Sequence, residues 1–199
     1  MIRLIIFDIG GVLEDFNEDM YINYICPKLQ LNKKRFSASL KSKLMLAEEG
    51  KLGTWEMLSE IASEFSVKIN DLEWQYAILK LAKMNKDTVK LANRLSKKYD
   101  LVLLTNVSRS RYISNINNGM LKGIRYKRIF ASCFMGVAKP KREAYLQVIR
   151  SMNVKPEEAV FIDDRMENVK GGRVAGLHGI HYTTCADLSK SLNKLGVDA

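Results

Sequence analysis

Short runs of mainly apolar residues place the strongest limit on how this chain can fold. They lie at residues 2–7, 101–104, 128–132, 159–162 and 179–182. From about residue 86 onward they alternate with segments of helical periodicity, such as the one that places Tyr145, Val148 and Ile149 on one face. Apolar strands that alternate with helices pair in parallel and are buried on both faces. The sequence therefore predicts an α/β fold, with a parallel sheet between two layers of helices.

The stretch that follows the first run has a different pattern. Between residues 17 and 85 the apolar residues recur at helical spacing, as Leu40, Leu44 and Ala47 do, and no segment resembles a buried parallel strand. We therefore expect an α/β core made of residues 1–13 and 86–199, and a helical segment of residues 14–85, called the insert below. The large side chains Met45, Trp55, Met57 and Trp74 are expected to form its apolar core rather than to line a substrate box.

The charge of the chain divides between the same two parts. The 199 residues are 47% hydrophobic and 27% charged, which is typical of a globular protein rather than a disordered one. Their net charge is 32 − 22 = +10, yet the insert holds 10 basic and 11 acidic residues. The excess in the core is either a solvated basic face or a field that attracts anionic substrates. Aromatic and basic residues do not interleave, so nucleic acid is not the expected partner.

Cysteine usage and hydropathy give expectations about the compartment. The three cysteines, Cys26, Cys133 and Cys185, are widely spaced and include no C-x-x-C pair, so we expect neither a disulfide framework nor a zinc site. This usage suits a reducing cytoplasm. No run reaches the roughly 18 apolar residues that span a membrane. Asp8 also interrupts the first run after four apolar residues, which is too short for a signal peptide. The oligomeric state is left open.

Polar side chains stand where three of the predicted strands end. These residues are Asp8 after the first strand, Thr105 and Asn106 after the second, and Asp163 and Asp164 after a third, with Lys139 in the loop before a helix near residue 141. Ligands of parallel sheets bind beyond the carboxyl ends of the strands, so we expect these groups to meet there. Three carboxylates in one crevice raise one another's pKa unless a divalent cation such as Mg²⁺ is present. One carboxylate can attack phosphorus while the other groups hold its oxygens, which predicts phosphoryl transfer.

Four segments of the chain resemble, in order, the motifs of the haloacid dehalogenase-like hydrolases. Residues 7–13 read FDIGGVL, similar to D-x-D-G-T/V-L, and residues 104–106 read LTN, similar to a strand that ends in Ser or Thr. Residues 136–140 read GVAKP, as in G-x-x-K-P, and residues 161–165 read FIDDR, an acidic pair after a strand. The resemblance covers nearly the whole chain. It implies a Rossmann-like sheet with a small helical cap inserted after the first strand.

The resemblance also assigns roles to single residues. It implies that Asp8 is the nucleophile, and that the Asp8 carboxylate, the Gly10 carbonyl and Asp164 hold Mg²⁺. Asp163 would act as a further ligand or by pairing with Lys139. The remaining implied role is binding of the phosphate, by Thr105, the amide of Asn106 and Lys139.

One position departs from the pattern of the family. Gly10 stands where the family has a second aspartate, which protonates the leaving oxygen and then activates water. Such general acid–base help is worth roughly 10²–10⁴ in rate. A subgroup with D-x-G-[GN]-V in this motif nevertheless includes sugar-phosphate phosphatases. We hypothesise that Glu14, Asp15 or a residue of the cap supplies the proton, or that substrates with good leaving groups need little help.

Three functions are compatible with these residues. The leading prediction is a Mg²⁺-dependent phosphatase that acts on a small phosphorylated metabolite. The second is a 2-haloacid dehalogenase that uses Asp8 without a metal; the acidic pair Asp163 and Asp164 argues against it, because it would repel a carboxylate substrate. The third is a binding module without catalysis, which Gly10 permits. Arg109 and Arg111 follow the second motif, either as surface residues or within reach of a substrate anion.

Overall fold

The computed structural model describes all 199 residues and contains seven strands and ten α-helices. The strands are β1 (Leu4–Phe7), β2 (Glu14–Asp15), β3 (Lys83–Met84), β4 (Asp100–Thr105), β5 (Arg128–Ala131), β6 (Ala159–Asp163) and β7 (His178–His181). The helices are α1 (Glu18–Lys28), α2 (Lys33–Glu48), α3 (Thr54–Phe65), α4 (Trp74–Leu81), α5 (Lys86–Leu95), α6 (Arg109–Asn117), α7 (Ser132–Met135), α8 (Arg142–Met152), α9 (Met166–Val174) and α10 (Cys185–Lys194). Two short 3₁₀ helices cover Ile69–Leu72 and Pro156–Glu158. None of the helices is both long and apolar enough to cross a bilayer.

Five strands form one parallel sheet in the order β5–β4–β1–β6–β7, with β1 at its centre. Phe7 at the end of β1 lies opposite Leu103 of β4 and Ile162 of β6, so the three strands end at the same edge. This confirms the predicted α/β fold with helices inserted after the first strand. The last strand lies one residue earlier than its apolar run, and Ser132 begins α7 instead of ending β5.

Alternate residues of β1 feed two separate apolar layers, as expected for a sheet covered on both faces. Ile5 and Phe7 pack in a layer that includes Leu91 of α5 and residues of α10. Leu4 and Ile6 pack in the other, with residues of α8 and with Phe161 of β6.

The insert has an apolar cluster of its own, built from α1 to α4. Tyr21 lies at its centre, with its ring 4.6 Å from the ring of Trp74 and its hydroxyl donating to the Leu72 carbonyl at 2.7 Å. The chain enters and leaves the insert through β2 and β3, which pair antiparallel. The two segments that connect the insert to the core are therefore paired with each other.

Two of the four large side chains expected in this cluster lie outside it. Met57 and Trp74 are buried, but Met45 is 55% and Trp55 66% exposed. Met45 lies on the face of α2 opposite Phe36 and Ala47, which a helical period of 3.6 residues explains. Trp55 lies in the first turn of α3, to one side of the buried face of that helix.

Candidate active site

A cavity of about 80 Å³ lies between the carboxyl edge of the sheet and the insert. The core contributes the residues that follow β1, β4 and β6, together with Lys139. The insert contributes side chains such as Leu44, Glu48 and Trp74. Groups that are up to 160 residues apart in the chain, Asp8 and Asn168, therefore line one cavity.

Asp8 extends β1 by one residue and is buried at the floor of this cavity. Its amide donates to the Ile162 carbonyl at 2.9 Å, which continues the pairing with β6. Its carboxylate atom Oδ1 accepts from the Ile9 amide at 2.7 Å and lies 2.9 Å from the Lys139 ammonium. The carboxylate is thus held in one orientation by its own turn and by one buried cation.

The Lys139 ammonium contacts three oxygens of the protein. Besides Asp8, Nζ contacts Asp163 Oδ2 at 2.7 Å and donates to the Leu104 carbonyl at 2.9 Å. Burial opposes the charge on Lys139, but Asp163 and Asp8 outweigh it and raise the pKa of the lysine above its ordinary value. Lys139 is therefore a fixed positive charge between two carboxylates.

Asp163 has both carboxylate oxygens committed to the protein. Oδ1 accepts from the Arg165 amide at 2.8 Å, and Oδ2 accepts from Lys139. The Asn168 amide bridges both oxygens, at 3.0 and 3.1 Å. Asp163 thus holds Lys139 in place, as one of its two predicted roles requires. Asn168, to which the sequence analysis gave no role, orients this carboxylate from the first turn of α9.

Asp164 completes a cluster of three carboxylates. One oxygen from each of Asp8, Asp163 and Asp164 lies within 4.8 Å of the other two. Asp164 Oδ1 is buried and has no hydrogen-bond partner. Burial, and then the neighbouring Asp163 carboxylate, raise the pKa of Asp164, and burial likewise raises the pKa of Asp8 against the effect of Lys139. Crowded oxygen donors with one free atom fit a Mg²⁺ ion.

Gly11 makes this approach of Asp164 sterically feasible. Its φ is +75°, in the left-handed region, and a Cβ added there would lie 2.2 Å from Asp164 Oδ2. No other residue type satisfies both conditions. Gly10 is less constrained, since a Cβ there would lie 3.3 Å from the Phe16 carbonyl, a tight contact that a backbone shift of a few tenths of an ångström would relieve. The missing second aspartate is therefore not excluded by the backbone alone.

Thr105 is the last residue of β4, Asn106 follows it, and both line the same cavity. The Thr105 hydroxyl makes only a 3.5 Å contact to the Asn106 carbonyl. The Asn106 side chain accepts from the Lys139 amide at 2.9 Å and donates to the Lys139 carbonyl at 2.8 Å. These two hydrogen bonds fix the loop that carries Lys139. The motif alone does not reveal this role of the Asn106 side chain.

The candidate proton donors occupy different places. Glu14 lines the cavity, but its carboxylate is bound to Arg111 at 2.7 Å. Burial raises the pKa of Glu14 and Arg111 opposes that shift. Asp15 is exposed and does not line this cavity.

Of the two arginines after β4, Arg111 lines the cavity, whereas Arg109 lies over the Phe134 ring.

Buried polar atoms without a partner are concentrated in this cavity. The structure has five such side-chain atoms, Glu14 Oε2, Trp74 Nε1, Ser108 Oγ, Asn115 Oδ1 and Asp164 Oδ1, and all five residues line the cavity. Leaving a buried polar group unsatisfied costs about 1–3 kcal/mol. Their clustering gives the cavity polar atoms that water or a bound ligand can satisfy.

A family model for haloacid dehalogenase-like hydrolases matches residues 2–176 of the chain. The chain belongs to this family. A family enzyme of Bacteroides thetaiotaomicron shares the fold, with a TM-score of 0.81 and 22% identity over 95% of this chain and 97% of that one. A predicted family hydrolase of Porphyromonas gingivalis has a TM-score of 0.78 and 24% identity, covering 98% of both chains. The Bacteroides enzyme has also been crystallised with magnesium and inorganic phosphate.

Two curated relatives match about a third of this chain at a higher identity. Flavin mononucleotide hydrolase 1 of Arabidopsis thaliana is 39% identical over 69 residues, which are 35% of this chain and 28% of that protein. Sesquiterpene phosphatase astK of Aspergillus oryzae is 38% identical over 64 residues, which are 30% of this chain and 33% of that protein. The match thus spans about a third of the length of these relatives.

Proposed function

We propose that this protein is a Mg²⁺-dependent phosphatase that hydrolyses a small phosphorylated metabolite, such as a sugar phosphate, through an aspartyl-phosphate. The observation that carries the proposal is the cluster of Asp8, Asp163 and Asp164 around the buried Lys139 ammonium. Two curated relatives are named as a hydrolase of a flavin mononucleotide and as a sesquiterpene phosphatase. The magnesium and phosphate complex of the Bacteroides enzyme adds support.

The ligands proposed for Mg²⁺ are the Asp8 carboxylate, the Gly10 carbonyl and Asp164, whose Oδ1 has no other partner. When bound, the ion supplies positive charge beside the phosphoryl oxygens. Asp163 is the weakest candidate for a direct ligand, because both of its oxygens already accept hydrogen bonds from the protein. Its role in the proposal is to position Lys139.

The chemistry then follows from the positions of the remaining groups. The Thr105 hydroxyl, the Asn106 amide and the Lys139 ammonium hold the phosphoryl oxygens, where charge accumulates in the transition state. The free oxygen of Asp8, Oδ2, attacks phosphorus and the ester bond breaks. Water then attacks the phosphorus, which releases phosphate and restores the Asp8 carboxylate.

The insert, residues 14–85, serves in this proposal as a cap over the α/β core of residues 1–13 and 86–199. A volume of about 80 Å³ accommodates a phosphoryl group and little more, whereas pockets for larger ligands measure about 300–1,000 Å³. The cap therefore opens to admit substrate and closes to exclude water. The paired strands β2 and β3 are its attachment.

The unsatisfied polar atoms of the cavity favour a leaving group that carries hydroxyls. Ser108 Oγ, Asn115 Oδ1 and Trp74 Nε1 are a hydroxyl, an acceptor and a donor that an apolar leaving group would leave without partners. A sugar or other polyol supplies both donors and acceptors.

We also propose a reducing, cytoplasmic compartment, since all three cysteines are free.

Hydrolysis of p-nitrophenyl phosphate with and without Mg²⁺, followed by a panel of sugar phosphates, tests this function. We expect turnover that EDTA abolishes and that Asp8→Asn removes. Asp87→Asn is the matched control, because its side chain is 78% exposed on α5. Halide release from a 2-haloacid that persists in EDTA would instead establish a dehalogenase. No turnover of any of these compounds by the folded protein would refute catalysis and favour a binding module.

A further inference from the structure

Gly10 leaves the proposed reaction without its usual proton carrier, and one side chain of the insert is placed to replace it. We propose that Glu48 is the general acid and base of this site, which donates a proton to the leaving oxygen and then accepts one from water. This inference rests on the phosphatase function proposed above. It identifies which residue of the insert completes the catalytic set.

Elimination among the acids of the cavity leads to Glu48. The lining contains five carboxyl groups, those of Asp8, Glu14, Glu18, Glu48 and Asp164. Asp8 and Asp164 belong to the proposed metal cluster, and Glu14 and Glu18 are ion-paired with Arg111 at 2.7 Å and Arg165 at 3.5 Å. Glu48 forms no salt bridge and no side-chain hydrogen bond, so its carboxyl group is free to meet a ligand.

The end of α2 is anchored to the core, which fixes Glu48 over the cavity. Glu48 is the last residue of α2, and the next residue, Glu49, is buried and pairs with Lys141 of the core. Gly50 follows with φ +70°, and a Cβ there would lie 2.5 Å from the Cys133 carbonyl, also in the core. Two successive residues therefore hold this turn of the insert against the core. Because Glu48 directly precedes them, these contacts also set its position.

The charges around Glu48 suit a group that both gives and takes a proton. Burial, and then Glu18 of α1, raise the pKa of Glu48 to about 7, while Arg165 after β6, Lys139 and Arg111 of α6 oppose the shift. A general acid–base group works best when its pKa lies near the working pH.

The two steps balance as follows. Asp8 Oδ2 forms a bond to phosphorus, the ester P–O bond breaks, and the leaving oxygen takes the proton of the Glu48 carboxyl group, so an alcohol departs. A water oxygen then bonds to phosphorus while the Glu48 carboxylate takes one of its protons. The bond between Asp8 and phosphorus breaks, and phosphate leaves. The cycle consumes one ester and one water.

Glu48→Gln separates these steps when two probes are compared. With β-glycerol phosphate, whose alkoxide needs a proton to leave, we expect kcat to fall by roughly 10²–10⁴. With p-nitrophenyl phosphate, whose leaving group needs no proton, we expect a burst of about one equivalent of nitrophenolate, then slow turnover as phosphorylated Asp8 accumulates. Glu48→Asp retains a carboxyl group and should recover part of the loss. Glu60→Gln, exposed on α3, is the matched control.

Two results would overturn the proposal. One is turnover of β-glycerol phosphate by Glu48→Gln within about twofold of the unmodified protein. The other is loss of the nitrophenolate burst in a folded Glu48→Gln, because the first step with that probe requires no proton. Failure of the unmodified protein to hydrolyse either ester would instead refute the phosphatase function itself.

Discussion

Lys139 is the residue whose removal most sharply tests how the buried charges of the site support one another. Its side chain is 1% exposed and contacts Asp8 at 2.9 Å and Asp163, itself fully buried, at 2.7 Å. Lys139→Met keeps the length of the side chain but leaves both carboxylates without their cation. Removing one partner of a buried ion pair costs about 3–5 kcal/mol. For a chain of about 200 residues, that loss lowers Tm by about 6–20 °C.

Thermal unfolding followed by circular dichroism, with urea unfolding for the free energy, measures this loss. Lys90→Met is the control, because its pair with Asp87 is exposed on both sides and contributes at most about 1 kcal/mol. The double variant Lys139→Met/Asp163→Asn should be more stable than the single one, since one stranded charge is gone. A Lys139→Met protein that unfolds within about 1 kcal/mol of the unmodified one would refute the reasoning.

Three further predictions concern the glycine turn, the cap and the pH. Gly11→Ala should lower the free energy of unfolding by about 1–2 kcal/mol, because alanine is strained at a left-handed φ. It should also abolish the rise in Tm that Mg²⁺ causes, because its Cβ would displace Asp164. An unchanged Mg²⁺-dependent rise in Tm would contradict this. Glu49→Gln should raise KM more than Glu60→Gln does, because it weakens the contact between the insert and Lys141 of the core, which the proposed function uses to hold the cap closed; equal KM values would count against that use of the contact. The raised pKa of Glu48 predicts that kcat/KM falls above about pH 7 and that Glu48→Gln lacks this limb. The folded state holds that proton more tightly than the unfolded state. The free energy of unfolding, compared with that of Glu48→Gln, should therefore decline between about pH 4.5 and 7. Urea unfolding at these two pH values measures the decline.

The sequence was sufficient to predict which residues meet at the centre of the candidate site, because parallel strands end at one edge. Asp8, Thr105 and Asp164 each lie just after an apolar run that is visible in the sequence, and the structure brings them to one cavity. The pairing of Asp163 with Lys139 was one of two expected roles, and the geometry shows it.

Residues that depend on packing between the insert and the core were not predictable. Glu48 takes its position from how the helices of the insert lie on the sheet edge, and the Glu14–Arg111 pair joins β2 to α6; periodicity encodes neither. Asn168 has no strand end to mark it, only a place one turn into α9. Periodicity likewise did not show that Trp55 is exposed, because the first turn of a helix can extend past its packing partners.

Isothermal titration of Mg²⁺ into the unmodified protein and into Asp164→Asn tests the central claim most directly. We expect one Mg²⁺ per chain in the unmodified protein and binding at least tenfold weaker in Asp164→Asn, since the variant loses a buried carboxylate oxygen that has no other partner. A folded, unmodified protein that binds no Mg²⁺, or an Asp164→Asn protein that binds it equally well, would contradict the account.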